Sequence, residues 1–343
     1  MLQGEALSGV EGSRSATDAF AALDLGTNNC RLLVGAPTSD GFRVLDSFSR
    51  IVRLGEGLHR TGRLSEAAMA RALEALRICR ARLERRPMRG LRAVATEACR
   101  RAANGAEFLC RVKTETGLGI DVISAREEAE LALESCAQLL AGHARRALVF
   151  DIGGGSTEFA WVRLDPHQPP ALIGYASLPV GVVSLAEQYG DAGFSPEGFD
   201  AMADDIAARL APFESVHCIA REIRDGGVRL LGTSGTVTTL AGIVLDLPRY
   251  SRSLVDGAVL GRDAARTALE QLRAMGRAGL ERHPCVGPER MEFVLPGCAV
   301  FAAITRLWPA PEVVVADRGL REGMLLRMMR ADRARPRAHP WMA

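Results

Sequence analysis

Two aspartates, each at the end of an apolar strand and before a turn rich in glycine, are the residues best placed for chemistry. Asp24 lies in Ala-Leu-Asp-Leu-Gly-Thr-Asn-Asn, and Asp151 lies in Val-Phe-Asp-Ile-Gly-Gly-Gly-Ser-Thr. Glycine lets the backbone turn sharply and approach a ligand closely, and successive free N–H groups in such a turn form an anion site. Aspartate repels phosphate, but it can hold a hydrated Mg²⁺ that bridges to phosphate oxygens. The two turns together therefore predict a phosphate clamp.

The donors expected for this clamp are the N–H groups and hydroxyls of the two turns. Those phosphate-binding residues are Gly26, Thr27, Asn28, Gly153, Gly154, Gly155, Ser156 and Thr157. An aspartate at a strand end also commonly caps an adjacent turn, which is a purely structural role. The repetition of the whole setting favours the metal or phosphate role for both aspartates.

A second candidate is the acidic pair Glu127 and Glu128 at the start of a predicted helix. Ser124-Ala-Arg-Glu127 matches a capping box, in which Ser124 caps the helix and Glu127 reaches back to its backbone. That role accounts for Glu127 and leaves Glu128 without one. A carboxylate here, directed into a phosphate cleft, can orient and deprotonate water, although glutamate is also routine in a first helical turn. Position alone leaves both interpretations of Glu128 open.

Arg100 and Glu158 likewise have two interpretations each. Arg100 follows a short strand, and a guanidinium binds phosphate oxygens two at a time, but a solvated position is common in so arginine-rich a chain. Glu158 lies one residue beyond the second turn, where it also starts a strand. The basic stretch over 77–92 could guide a polyanion, but it is expected to be mainly the exposed face of a helix. A nucleic-acid surface is disfavoured because the stretch lacks interleaved aromatic residues.

The composition favours a globular cytoplasmic protein and excludes several classes. A chain of 343 residues, 48% hydrophobic and 24% charged, is sufficient for two domains. Its eight cysteines form no Cys-x-x-Cys pair, which argues against a zinc site or a disulfide framework. Lys113 is the single lysine, so the P-loop and protein-kinase signatures are excluded. The net charge of +2 predicts no nucleic-acid partner, and no apolar run is long enough to span a membrane.

The predicted elements indicate two related α/β halves facing a cleft. A strand–turn–strand unit over 19–48 starts an antiparallel sheet, and the same opening recurs over 147–164, followed by a loop over 165–170. We further expect helices over 64–86, 107–116, 125–140, 196–212, 262–276 and 319–330 and from Gly297, and strands over 91–96, 120–123 and 313–315 and from Leu230. The segments 1–18 and 331–343 are expected to be loose tails.

Taken together, the motifs resemble those of the exopolyphosphatase/guanosine pentaphosphate phosphatase (Ppx/GppA) family of the actin-like ATPase superfamily. The resemblance covers residues 21–329 and is carried, in the family's order, by segments 24–29, 95–100, 124–129, 151–158, 232–236 and 318–323. Longer family members add a helical domain with a His-Asp signature, and here no histidine precedes an aspartate. The resemblance is therefore to a short two-domain form.

The resemblance implies two ribonuclease-H-like domains around a cleft, over 19–124 and 125–316, with the helix over 317–330 packing back on the first. It implies that Glu128 is the catalytic base, that Arg100 clamps the terminal phosphates, and that Glu158 helps to place the metal or the water. Asp24, Asp151 and Glu158 are the implied residues for Mg²⁺. Gly232, Ser234 and Gly235, in a third strand–glycine turn, are implied to complete the phosphate site.

The resulting expectation is a cytoplasmic, Mg²⁺-dependent hydrolase that removes terminal orthophosphate from inorganic polyphosphate and possibly from guanosine pentaphosphate. No membrane partner is expected, a nucleic-acid partner is disfavoured, and a homodimer is implied by the family alone. Two alternatives stay open. One is an alarmone or nucleotide sensor with little turnover, which would not need a base such as Glu128. The other is a sugar or acetate kinase, for which the sequence shows no sugar pocket.

Overall fold

The computed structural model describes residues 18–334, so residues 1–17 of the tail expected over 1–18, and residues 335–343 of the tail expected over 331–343, lie outside the described residues. The elements of the first half are β1 (Ala19–Leu25), β2 (Asn29–Thr38), β3 (Gly41–Ile51), α1 (Leu58–Thr61), α2 (Glu66–Leu83), β4 (Met88–Ala95), α3 (Glu97–Arg101), α4 (Gly105–Thr116) and β5 (Asp121–Val122).

The elements that follow are α5 (Ala125–Cys136), β6 (Arg146–Ile152), β7 (Thr157–Asp165), β8 (Gln168–Leu178), α6 (Val182–Tyr189), α7 (Pro196–His217), α8 (Ile219–Arg224), β9 (Val228–Thr233), α9 (Gly235–Val244), α10 (Arg252–Val255), β10 (Val259–Gly261), α11 (Arg262–Ala274), α12 (Gly276–Arg282), α13 (Met291–Leu307), β11 (Glu312–Ala316) and α14 (Leu320–Ala334). Short 3₁₀ helices cover Ala137–Leu140 and Gly190–Phe194.

The strands form two sheets with the same internal plan. The first sheet has the order β3-β2-β1-β4-β5, and the second has the order β10-β11-β9-β6-β7-β8. In each, three antiparallel strands come first, and the next strand in the chain, β4 or β9, joins parallel to the first of them. The expected α/β class with two similar halves is confirmed. Among residues 18–334, no helix is both long and apolar enough to cross a bilayer.

The register of the two antiparallel openings reveals how closely they correspond. Asp24 of β1 pairs across the sheet with Arg31 of β2, and Asp151 of β6 pairs with Glu158 of β7. Each turn is closed by one backbone hydrogen bond, from the Gly26 or Gly153 N–H to the carbonyl three residues later, and both bonds measure 2.9 Å. The same turn geometry therefore presents both aspartates at the ends of their strands.

Helices α5 and α14 pack against each other between the two sheets. One apolar cluster joins Leu131 of α5 and Met324 of α14 to Phe20 of the first sheet. On its other face, α5 buries Ala129 and Leu133 against strands of the second sheet. The polypeptide thus returns at its C-terminal end to the first half, and α5 contacts both halves.

Three expectations about elements are wrong in detail. The loop over 165–170 is a short turn, because β8 begins at Gln168 and carries Pro169 and Pro170; β8 is an edge strand, where proline interrupts no ladder. Helix α13 starts at Met291 and accommodates Pro296, since nearly the whole helix packs in the core. Helix α14 continues through Ala334, where Asp332 accepts a 2.8 Å hydrogen bond from Arg89.

The crossing of α5 and α14 depends on Gly323. A Cβ at this position would lie 2.2 Å from the carbonyl oxygen of Leu131, which is backbone and cannot rotate away. We expect Gly323→Ala to lower the free energy of unfolding by about 1–3 kcal/mol, because the helices must separate. Urea denaturation measures the change. Gly261→Ala is the control, since a Cβ there meets nothing within 4 Å; an equal loss in both variants would contradict the close crossing.

Candidate active site

A cleft of about 520 Å³ lies between the halves, at the turns that follow β1 and β6. It brings together glycine turns from both halves and the start of α5. The predicted residues in its wall are Asp24, Gly26, Thr27, Asn28, Glu128, Asp151, Gly153, Gly154, Gly155, Ser156, Glu158, Ser234 and Gly235. The third turn enters through Ser234, whose hydroxyl accepts from the N–H groups at the start of α9.

The first two turns touch each other directly. A Cβ on Gly154 would lie 3.0 Å from the Cβ of Asn28, and a Cβ on Gly155 would lie 2.6 Å from the hydroxyl of Thr27. The first turn is braced in turn by Gly55, whose N–H donates to the Thr27 carbonyl at 2.9 Å. A Cβ at either position would therefore push against the first turn, and glycine lets the two turns lie in contact.

Two predicted phosphate-binding residues lie outside the cleft wall. Thr157 is buried, and its hydroxyl donates to the carbonyl of Val180 at 2.7 Å. Gly232 packs within β9, where a Cβ would lie 2.6 Å from the ring of Phe150. Both residues support the turns without lining the cleft, Thr157 through its hydrogen bond and Gly232 through close packing.

Glu128 reaches the cleft from the first turn of α5. Ser124 caps this helix by accepting from the N–H of Glu127 at 3.2 Å, as predicted. Glu127 was expected to accept from the backbone N–H of Ser124, which would complete a capping box. Its carboxylate instead accepts from Arg92 of β4 at 2.8 Å. This charge-assisted bond is stronger than a bond to a backbone N–H. Glu128 follows one position round the helix and is only 6% exposed.

Arg100 contacts Glu128 and is not itself part of the cleft wall. Its Nη1 donates to Glu128 Oε2 at 2.6 Å and to the carbonyl of Ile123 at 2.8 Å. Its Nη2 donates to Glu97 Oε2 at 2.6 Å. The guanidinium expected to clamp phosphate is thus engaged with the carboxylate expected to act as base.

The carboxylates of the cleft repel one another in surroundings that already disfavour charge. Burial raises the pKa of Glu128 to about 7, Arg100 opposes this shift, and Asp24 and Asp151 add to it. Burial also raises the pKa of Asp151 to about 6, and the charge of Asp24 contributes. The pKa of Glu158 lies well above its usual range because of burial and the negative charge of Glu128. A group with a pKa near 7 is suited to take up and release protons at neutral pH.

Sequence reasoning missed three arginines of the cleft wall, Arg31, Arg50 and Arg290. Arg31 acts electrostatically on both Asp24 and Asp151, lowering their pKa values against the larger effect of burial. The alternation along β2 carried the signal, because Cys30 and Leu32 are core residues and Arg31 therefore faces the same side as Asp24. Arg290 directly precedes α13, and no periodicity marks it.

The donor set of the cleft fits a hard divalent cation. Its acidic side chains offer only oxygen, and the side-chain oxygen Oδ1 of Asn28 is buried without a hydrogen-bond partner within residues 18–334. Carboxylate and carbonyl oxygens are what Mg²⁺ and Ca²⁺ bind. No group of three or more His, Cys, Asp or Glu side chains in the described chain is close enough to hold a metal alone. A cation here would need water or phosphate oxygens to complete its shell.

Comparison with known proteins identifies a family for this arrangement. The model of the Ppx/GppA phosphatase family matches residues 34–332. A guanosine-5'-triphosphate,3'-diphosphate pyrophosphatase of Aeromonas hydrophila is 33% identical over 310 residues, 89% of this chain. The chain spans 58% of the length of that relative. Phosphatases of this family generally need a divalent metal ion.

Solved structures of similar proteins share the fold over almost their whole length. A Ppx/GppA family member of Aquifex aeolicus has a TM-score of 0.76 at 26% identity, with 92% of this chain and 99% of that chain covered. An exopolyphosphatase-like protein has a TM-score of 0.81 at 27% identity, with the same coverage. The expected pair of ribonuclease-H-like domains of the actin-like ATPase superfamily is confirmed.

The raised pKa of Glu128 predicts the pH dependence of a reaction in which this carboxylate serves as the general base. A general base must be ionised, so kcat/KM should rise with pH and level off above about 7, the pKa of Glu128. In Arg100→Met the opposing positive charge is lost, so the acidic limb should move to higher pH. Initial rates between pH 5 and pH 9 measure both limbs. An acidic limb near the ordinary glutamate pKa would contradict a buried base.

Proposed function

Because the chain belongs to the Ppx/GppA phosphatase family, we propose that it releases terminal orthophosphate from inorganic polyphosphate and from guanosine pentaphosphate. The family consists of phosphatases that hydrolyse phosphoanhydride bonds. One observation carries the proposal for this chain. Glu128 is buried beside a cleft whose wall is built from three glycine turns, and such turns suit phosphate groups rather than carbon substrates.

The glycine turns hold the terminal phosphates in this proposal. Their N–H groups and the hydroxyls of Thr27, Ser156 and Ser234 can donate to phosphate oxygens from both sides of the cleft. Arg31 and Arg290 of the same wall offset the charge of neighbouring phosphates, whether these belong to a polyphosphate or to a nucleotide. Positioning and charge neutralisation are most of what a phosphoanhydride needs from a protein.

Glu128 then acts on the attacking water. One of its carboxylate oxygens accepts a proton from the water as the water oxygen bonds to the terminal phosphorus. The bond from phosphorus to the bridging oxygen breaks, and the shortened phosphate chain leaves with the electron pair. Arg100 holds Oε2 of Glu128 at 2.6 Å, which orients the carboxylate for this step.

A divalent ion, which we propose to be Mg²⁺, would be held by Asp24, Asp151 and Glu158 with water and phosphate oxygens. When bound, it would neutralise charge on the phosphate groups. The proposal is supported by the raised pKa values of Asp24 and Asp151, which burial chiefly causes; the charge of Asp24 adds to the shift of Asp151. A cytoplasmic location is supported by eight free cysteines, and a homodimer rests on the family resemblance alone.

Glu128→Gln tests the base. We expect release of orthophosphate from polyphosphate to fall by about 10²–10⁴-fold, because the amide cannot accept the proton. Malachite-green assays with Mg²⁺ should compare long-chain polyphosphate, guanosine pentaphosphate and ATP. Glu130→Gln is the matched control, since Glu130 lies on the same helix and pairs with the exposed Arg126.

The outcomes of this assay separate the enzyme from a sensor. Release that is lost in Glu128→Gln and kept in Glu130→Gln supports the hydrolase, and the ranking of substrates identifies its preference. Wild-type protein that binds guanosine pentaphosphate tightly and releases no phosphate from any substrate would instead assign the cleft to alarmone sensing.

Removal of one acidic side chain tests the metal site. Mg²⁺ relieves the repulsion between Asp24 and Asp151, so it should raise the Tm of the wild-type protein by a few degrees. In Asp151→Asn the repulsion is already reduced, and we expect a clearly smaller increase. Differential scanning fluorimetry with and without Mg²⁺, at constant ionic strength, measures this. Equal increases in both proteins would argue against Asp151 as a residue of the metal site.

A further inference from the structure

Glu97 is a buried carboxylate that the mechanism above does not use. It is the first residue of α3, is 7% exposed, and is not part of the cleft wall. Burying a carboxylate is costly unless it is paired and hydrogen-bonded. Its position therefore depends on its partners, which are two arginines of its own helix.

The nearer partner is Arg100, which links Glu97 to Glu128. Nη2 of Arg100 lies 2.6 Å from Glu97 Oε2, and Nη1 lies 2.6 Å from Glu128 Oε2. The second oxygen of Glu97 lies 3.6 Å from Nε of Arg101, whose side chain is more than a third exposed. The three side chains Glu97, Arg100 and Glu128 thus form a continuous chain of charge-assisted hydrogen bonds that ends at the cleft.

The rigidity of the guanidinium makes the two ends of this chain interdependent. A guanidinium is planar, so fixing the direction of one Nη fixes the direction of the other. The arginine side chain that carries it is long and has several rotatable bonds. The carbonyl of Ile123 is the one other acceptor for Nη1 within residues 18–334, and Nη2 bonds only to Glu97 there. Without Glu97 the guanidinium could turn away from Glu128.

We propose that Glu97 is a positioning residue, which holds Arg100 in the orientation that keeps the Glu128 carboxylate directed at the reacting water. This inference rests on the proposed function of Glu128. It also explains why Arg100 contacts the base rather than lining the cleft: both of its Nη groups are already bound to carboxylates of its own protein.

The kinetics of four variants test this role. Glu97→Ala should lower kcat for polyphosphate by about 10–100-fold, since a misplaced catalytic group costs rate of that order, with KM changed less than about threefold. Glu97→Gln keeps an oxygen that accepts from Nη2 and should retain most of kcat. The double variant Glu97→Ala/Arg100→Ala should be no slower than Arg100→Ala, because Glu97 acts only through Arg100. Glu130→Gln again serves as the control.

Other results would overturn the proposal. Losses that multiply in the double variant would mean that Glu97 acts independently of Arg100. A raised KM with unchanged kcat would mean that it serves substrate binding, and wild-type rates in Glu97→Ala would mean that it has no role. If Glu97→Ala fails to fold, Glu97→Asp keeps the charge but is one methylene too short, and it should show the same selective loss of kcat.

A crystal structure of Glu97→Ala, or of Glu97→Asp, tests the geometry without relying on turnover. We expect the Arg100 guanidinium to leave its 2.6 Å contact with Glu128. If that contact is unchanged, the positioning role is wrong even in an active enzyme. If the wild-type protein releases no phosphate while the contact is lost in the variant, the proposed hydrolase fails and the structural dependence stands.

Discussion

Mutual repulsion among the carboxylates that face one cleft is the constraint on which the site depends. Asp24, Glu128 and Asp151 each raise the pKa of at least one other carboxylate of the cleft, on top of the larger effect of burial. The protein compensates unevenly. Arg100 offsets Glu128 and Arg31 offsets both aspartates, whereas Glu158 accepts only from hydroxyls such as that of Ser177. The negative charge of such a site is only partly compensated by the protein, which fits the binding of a cation together with phosphate.

The two halves share one turn geometry, but the residue paired with the aspartate is basic in the first half and acidic in the second. The residue paired with Asp24 is Arg31, and the residue paired with Asp151 is Glu158. The backbone places all four side chains at equivalent points, because the register and the turn hydrogen bonds are the same. The first half therefore brings a positive charge and the second an additional negative one, and the cleft between them is asymmetric although its walls are built alike.

Local chemistry in the sequence was enough to predict much of this. Glycine turns after apolar strands predicted both aspartate turns, and the Ser124 cap separated Glu128 from Glu127. Contacts between residues distant in sequence could not be predicted from these local patterns. Glu127 accepts a hydrogen bond from Arg92, on a strand distant in sequence, in place of the expected capping bond. The position of Arg100 likewise depends on two carboxylates that belong to different helices.

The expectations about prolines and helix ends were wrong for a related reason. Pro169 and Pro170 are compatible with a strand only because β8 is at the edge of its sheet, and edge position is a property of the assembled sheet. Pro296 is tolerated inside α13 because the surrounding core buries that helix. Local propensity gives the correct preference in both cases, and tertiary packing overrides it.

The position of the proposed base, Glu128, follows from the way α5 joins the halves. Helix α5 buries Leu131 toward the first sheet and Leu133 toward the second, and Gly323 brings α14 against its backbone. Glu128, in the first turn of α5, is held from the first half by Arg100. Glu128 is thus fixed where the two halves meet, whereas each of the glycine turns belongs to one half or the other. In the proposed mechanism a phosphate chain contacts both turns, so the contacts that bind it also align its terminal group with Glu128.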